Sequence, residues 1–248
     1  MPLVHKHIAL TLADIANAES MSKLHDVVAD LTIELGFTYF VLSHHAHPSQ
    51  WAEMKIALHN CPPEWVRFYA EKKVYRNDPI LAACTKSAAG FTWDALPSMI
   101  HMTDDRARVL RLYRETGIGS GVTIPAHIPG EPSGSCTFAT TIDQPFPVES
   151  VIHAQLLGAF AFQSARRLAG LITTGDSQQQ SLTPRQRDCL LWAMRGKTDW
   201  EIAKILGLSP STVSQHLDMA RQRYGVTKRV QLALRAIQYG DILLDDAY

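Results

Sequence analysis

One polar run rules out a single continuous core. Thr173-Thr-Gly-Asp-Ser-Gln-Gln-Gln-Ser181 holds no large apolar side chain. It has nothing to bury and reads as a linker. It separates residues 1–172 from residues 182–248 of the 248-residue chain, and each part is long enough for a domain of its own.

Charge divides at the same place. The chain as a whole has a formal net charge of zero, yet Leu182 to Gly240 carries ten Lys/Arg against four Asp/Glu, and the remainder 14 against 20. A basic module on an acidic body is the footprint of a polyanion binder joined to something else. No stretch approaches the roughly 18 apolar residues of a membrane span. The opening MPLVHKHIAL is too polar for a secretory leader. The expectation is a cytoplasmic protein with no membrane partner. Cys61, Cys84, Cys136 and Cys189 are scattered without CxxC spacing, so free buried thiols are expected and neither a disulfide framework nor a zinc site.

The first part alternates helix and strand signals. Helical spacing runs from Leu12 to Leu35 with a break near Glu19–Met21, and Gly36 ends it. Thr38–Ser43 is β-prone, with Met54–Leu58 as its partner, and Pro63–Lys73 is a proline-opened amphipathic helix. A polar helix covers Thr103–Thr116. Gly121–His127 and Gly134–Thr141 flank the turn signal Pro-Gly-Glu-Pro and predict a hairpin. Val148–Ala169 is a long helix with few charges, suited to packing on a sheet while part of it meets a partner. The expected class is α/β, an antiparallel sheet between helix layers in an α-β-α sandwich.

The second part is all helical. Thr183 or Ser181 caps a helix to Arg195 and Asp199 caps Trp200–Leu206. Gly207-Leu208 turns the chain, Ser209 caps Pro210 to about Tyr224, and Lys228–Tyr239 closes a four-helix module. Two short helices across a tight glycine turn make a helix-turn-helix, whose second helix can enter the major groove of double-stranded DNA.

The residues then meet a family. LTPRQRDCLLWAMRGKTDWEIAKILGLSPSTVSQHLDMARQRYGV resembles the LuxR-type C-terminal helix-turn-helix domain, with Gly196, Lys197, Glu201, Ile202, Ala203, Thr212 and Val213 among the matches. It departs at Gln186, where the family has glutamate, and at Asp218. These changes are expected to weaken an internal polar contact and the attraction to the DNA backbone. Ser214, Gln215 and Asp218 look outward on the recognition helix, where glutamine can pair with adenine and a carboxylate can accept from cytosine. Lys197, Thr212, Arg221 and Arg223 suit phosphate, although for Arg221 and Arg223 a solvated helix face is the competing reading.

A second pattern lies upstream. Trp65 and Tyr69 share a helix face at i and i+4, Asp78-Pro79 follows, then Trp93. Patterning alone also describes a core face followed by an N-cap. The spacing W-x3-Y-x8-DP-x13-W, together with Gly121, resembles the autoinducer-binding domain of LuxR-family quorum-sensing regulators. That resemblance implies an N-acyl-homoserine lactone effector and no cofactor. It places the Trp65 indole on the lactone carbonyl, the Asp78 carboxylate on the amide N–H, the Tyr69 hydroxyl on the acyl carbonyl with Thr137 assisting, and Trp93 against the lactone end. Val41, Ser43 and Leu81 are candidates for the wall along the acyl tail. Cys61 stands where the family has an aromatic residue, which leaves tail length and substitution open. A buried aspartate with no donor is costly, so Asp78 calls for one.

Rival readings were a LuxR-type regulator answering a different molecule or none, a phosphorylated receiver and an enzyme. The first forty residues hold no acidic pair of the kind a receiver needs. The cluster His44, His45, His47 lacks a carboxylate or further ligand at usable spacing and is expected to be a solvated loop. The chain is therefore read as a ligand-responsive regulator and not an enzyme, binding a palindromic operator as a homodimer.

Overall fold

The structure is a computed structural model that describes residues 10–45, 56–128, 131–172 and 181–247. The chain falls into two compact units that divide after Ile172. Most of the linker signal, residues 173–180, lies outside the described residues, as do Met54 of the second strand signal and His47.

The first unit opens with α1 (10–16) and α2 (Met21–Glu34). The break between them falls where expected, because Ser20 caps α2 by accepting the Lys23 N–H. Gly36, at φ +82°, takes the left-handed turn that ends the helix. Five strands follow: β1 (Tyr39–His44), β2 (Ala57–His59), β3 (Phe91–Thr92), β4 (Ile118–Ala126) and β5 (Gly134–Thr141). They form one sheet in the order β2-β1-β5-β4-β3, with every neighbour antiparallel. The pairing of β2 with β1 and the β4–β5 hairpin agree with the sequence; the two-residue β3 is too short to carry a strand pattern.

Strand alternation gives the sheet two apolar faces. Phe40, Leu42, Cys136, Phe138, Val122 and Ile124 occupy one, beneath α2 and α7 (Val151–Leu168). On α7 the small Gly158 lets the helix approach: a Cβ there would sit 3.1 Å from Ile124 Cδ1 and 3.2 Å from Phe138. Tyr39, Val41, Ser43, Thr123, Ser135, Thr137 and Ala139 lie on the opposite face. That face is covered by α3 (Pro63–Glu71), α4 (Pro79–Cys84), α5 (Leu96–Met99) and α6 (Asp104–Glu115). The result is the α-β-α sandwich expected.

The second unit packs α8 (Pro184–Met194), α9 (Asp199–Leu206), α10 (Pro210–Arg223) and α11 (Arg229–Gln238) around Leu190, Ile202, Val213, Leu217 and Leu232. Gly207, at φ +67°, makes the turn between α9 and α10. One expectation needs correcting. Thr198, not Asp199, caps α9: its hydroxyl accepts the Glu201 N–H while Glu201 Oε2 accepts the Thr198 N–H at 2.8 Å. Asp199 is the first helical residue, and it accepts from Arg229 at 3.2 Å. Gln186 still makes the module's polar contact. Its amide oxygen accepts the Thr183 N–H at 3.0 Å and its own N–H meets Thr183 Oγ1, so a neutral amide closes the same reciprocal cap in a buried position.

Candidate functional site

Between the sheet and α3, α4 and α6 lies a cavity of about 290 Å³, just under the usual range of roughly 300–1,000 Å³ for small-molecule sites. All nine candidate ligand residues line it: Val41, Ser43, Cys61, Trp65, Tyr69, Asp78, Leu81, Trp93 and Thr137.

The polar end is organised around Asp78. Its backbone is extended at the start of α4, and its Oδ1 accepts the Ile80 N–H at 2.9 Å, which makes it the N-cap. The same carboxylate turns Oδ2 to the cavity, where it accepts from the Tyr69 hydroxyl at 2.7 Å and the Tyr113 hydroxyl at 2.8 Å. Cap and site, alternatives on the sequence alone, are therefore combined in one side chain. The donor that Asp78 requires is supplied by the protein itself, which corrects the inference that its burial calls for a ligand donor. Burial pushes the carboxyl above the usual range, while the Tyr69, Tyr113 and Ile80 hydrogen bonds oppose that rise. Both phenols are pushed well above their ordinary values by burial and by the neighbouring carboxylate, so they remain protonated donors.

Indole rings enclose this network. Trp65 lies 4.9 Å from Tyr113 and 5.8 Å from Tyr69 between ring centroids. Trp93 lies 5.4 Å from Tyr113, and its Nε1–H donates to Thr123 Oγ1 at 3.0 Å, which in turn meets Thr137 Oγ1 at 3.0 Å. Gly121 makes this possible: a Cβ there would fall 2.6 Å from the Trp93 ring and 2.8 Å from the Phe138 carbonyl oxygen. Cys61 is buried, and burial raises its thiol to about 11, which disfavours the reactive thiolate.

Away from Asp78 the cavity is lined by Tyr39, Val41 and Ser43 of β1 and by Ala57 of β2. The described histidines of the cluster are not a solvated loop, contrary to expectation. His44 is buried in β1 with its ring 5.5 Å from Phe162. His45 lines the cavity, with Nε2 2.8 Å from Ser135 Oγ, and burial followed by the nearby His127 and His44 lowers it to about 4. It is neutral at physiological pH. Among the described residues no group of three or more His, Cys, Asp or Glu is placed to hold a metal ion, and no helix is long and apolar enough to cross a membrane.

Sequence reasoning missed Tyr113. It sits on α6, read only as a polar helix, yet Val109 and Tyr113 are that helix's buried pair at i and i+4. The same spacing had drawn attention to Trp65 and Tyr69.

In the second unit, α10 carries the outward residues Ser214, Gln215 and Asp218. Asp218 forms a close ion pair with Arg221, whose Nη1 also reaches the Thr227 carbonyl at 3.3 Å. Arg223 donates to the Ser181 carbonyl, Thr212 Oγ1 lies 2.8 Å from Ser209 Oγ, and Lys197 stands 3.7 Å from Glu201. Gln215 is exposed, while the other six are half-buried.

Comparison with known proteins gives two family matches, the autoinducer binding domain over residues 20–168 and the luxR family of bacterial regulatory proteins over 180–236. The chain is 28% identical to transcriptional activator protein AhyR of Aeromonas hydrophila over 232 residues, which cover 89% of this chain and 86% of AhyR. It is 25% identical to transcriptional activator protein LuxR of Aliivibrio fischeri, with 90% and 89% coverage. Among solved structures, Escherichia coli SdiA superposes with a TM-score of 0.70 at 24% identity, covering 97% of this chain and 99% of that one. SdiA in complex with octanoyl-rac-glycerol gives 0.69 at 22% identity, with 95% of each chain covered.

Proposed function

The chain belongs to the autoinducer-binding regulators of the LuxR family, and from that premise we propose that it binds an N-acyl-homoserine lactone in the cavity and a palindromic operator as a homodimer. The observation that carries the ligand reading is the meeting of Trp65, Tyr69 and Asp78 at one end of a cavity whose walls elsewhere are mainly apolar. An acyl amide offers one N–H and several carbonyl acceptors at one end of an alkyl tail. Asp78 takes the amide N–H, Tyr69 the acyl carbonyl with Thr137 beside it, and Trp65 the lactone carbonyl, while Trp93 packs on the ring. Val41, Ser43, Cys61 and Leu81 flank the tail.

Dimerisation is supported by α7. Ile152, Leu156 and Phe160, with Val148 one turn before, recur every four residues and are 77%, 40%, 46% and 69% exposed. One helix face thus offers an apolar stripe to a partner, self-complementary across a two-fold axis. Two copies of α10 would enter successive major grooves of half-sites about one turn, ~34–36 Å, apart. Ser214, Gln215 and Asp218 read base edges there, and Lys197, Thr212, Arg221 and Arg223 take phosphates, the last two by exchanging their internal partners for DNA. Filling the cavity completes the sensor core, and through the dimer sets the spacing of the two reading helices.

Mass spectrometry of protein purified after expression with a lactone panel tests the ligand. One lactone should be retained, stabilising the protein by about 2.7 kcal/mol at a hundred times Kd, and Asp78→Ala should lose both effects. Retention of no lactone, with no thermal shift from any, would instead favour a LuxR-type regulator of a different effector. The smaller side chain at Cys61 is the feature that favours this second reading.

A further inference from the structure

The cavity-facing Oδ2 of Asp78 has no spare acceptor. A carboxylate offers about four lone-pair sites, two on each oxygen. Here the Tyr69 and Tyr113 hydroxyls both donate to Oδ2, at 2.7 and 2.8 Å, while Oδ1 accepts the Ile80 N–H at the start of α4. A ligand that presents an N–H or O–H can bond to Oδ2 only if one hydroxyl leaves.

The two phenols are not equally free to do so. Tyr113 is 9% exposed, with its ring against both Trp65 and Trp93, 4.9 and 5.4 Å between centroids. Tyr69 is half-buried, and its one ring neighbour among the described contacts is Trp65 at 5.8 Å. Tyr69 can therefore turn its hydroxyl from Asp78 to a ligand carbonyl, whereas Tyr113 is held in place.

We propose that Tyr113 is a positioning residue: its hydroxyl stays on Asp78 Oδ2 and holds the carboxylate towards the cavity while the Tyr69 hydroxyl is exchanged for the ligand's donor. The proposal rests on reading this cavity as the effector site. It also narrows the ligand chemistry to a head group that brings a donor for Asp78 and, beside it, an acceptor for the released Tyr69 hydroxyl. An amide has both, as does a hydroxyl next to an ester; a simple ester has only the acceptor.

Three probes with one tail test this on the full-length protein: N-octanoyl-homoserine lactone, octanoylglycerol and methyl octanoate. The wild type should bind at least one donor-bearing probe more tightly than methyl octanoate. Tyr113→Phe keeps the ring and removes the hydroxyl. It should weaken the donor-bearing probe roughly tenfold, the scale of one charge-assisted hydrogen bond, and leave methyl octanoate unchanged. In an Asp78→Asn background the same substitution should have no further effect on that difference, because the residue acts through the carboxylate. Tyr113→Met, which lacks the hydroxyl but adapts to the space, carries the same expectation if the phenylalanine variant does not fold. Equal weakening of donor-bearing and donor-free probes would assign Tyr113 a packing role and overturn the proposal, as would no change in either. If octanoylglycerol responds as stated and the lactone does not bind, the lactone reading fails and the role of Tyr113 stands. If the lactone binds and Tyr113→Phe leaves it unaffected, the reverse holds. Binding of no probe by the wild type overturns both.

Discussion

The two units place their polar side chains by different rules. In the C-terminal unit three helices begin on hydrogen bonds between residues three apart: Thr183 with Gln186, Thr198 with Glu201, Ser209 with Thr212. In the N-terminal unit the hydrogen bonds around the cavity join residues far apart in the chain. Tyr69 and Asp78 are nine residues apart, Tyr113 and Asp78 are 35, Trp93 and Thr123 are 30. The first kind of bond defines where a helix begins; the second exists only once the sheet and its covering helices have assembled. A polar residue lost from the first unit should therefore disturb a whole site, and one lost from the second a single helix end.

The largest test of that contrast is Asp78→Ala. It leaves two buried hydroxyls without their acceptor and removes the cap of α4, at a combined cost of roughly 3–5 kcal/mol. Calorimetry of the full chain should show the transition of the N-terminal unit falling while that of the C-terminal unit holds. An equal fall in both would break the comparison. Gly121→Ala comes next. A Cβ 2.6 Å from the Trp93 ring forces the indole off Thr123, at about 1–3 kcal/mol for overpacking. A lower urea midpoint together with weaker ligand binding is expected, and an unchanged midpoint would mean that the glycine has no part in holding the indole.

This contrast also explains what could be read without coordinates. The helix ends of the second unit were legible because caps, proline at the first position and glycine after the last are local chemistry. Even the error at Asp199 was a displacement by one residue, resolved by the Thr198–Glu201 pair. The sandwich was legible from alternation in β1, β4 and β5. Tyr113 was not, because its partner is a carboxylate at the start of another helix on the same face of the sheet, and the i, i+4 pair Val109 and Tyr113 is too short an apolar signal to stand out on a polar helix. His44 and His45 were misplaced for a related reason: their polarity suggested solvent, but His44 is the last residue of β1 in a sheet covered on both faces, and His45, just beyond it, is held to Ser135. Cys61 was legible as a departure from a pattern, yet the tyrosine reaching into the same cavity comes from a helix the pattern does not include.

His45 gives the next test, a matter of pH. Its folded value of about 4 lies below the ordinary 6.5. The neutral ring therefore contributes stability that is full above about pH 6.5 and is lost as pH falls towards 4, by at most one proton, about 1.4 kcal/mol per pH unit. His45→Gln should flatten that slope in the N-terminal transition and leave the C-terminal one as it was; an unchanged slope would place the titration elsewhere. Thr198→Ala should cost about 1 kcal/mol in the C-terminal unit alone, with Asp199→Ala costing less, since Asp199 is not the cap. If Asp199→Ala costs more, the cap assignment is wrong.

The smallest effect on stability should come from Lys197→Ala, and it sharpens the contrast most on the DNA side. Lys197 and the Glu201 carboxylate are 3.7 Å apart with both side chains in reach of solvent, so water and salt screen the pair and it contributes little to folding. Glu201 is held below the ordinary carboxylate range by the Thr198 N–H and hydroxyl, so it stays ionised and keeps facing the lysine. If Lys197 also meets a phosphate, its loss should weaken binding to specific and unrelated DNA alike and reduce the dependence of log K on log salt by about one. Melting temperature and ligand affinity should not move. An unchanged salt slope would confine Lys197 to its partnership with Glu201 and leave the backbone contact to Thr212, Arg221 and Arg223.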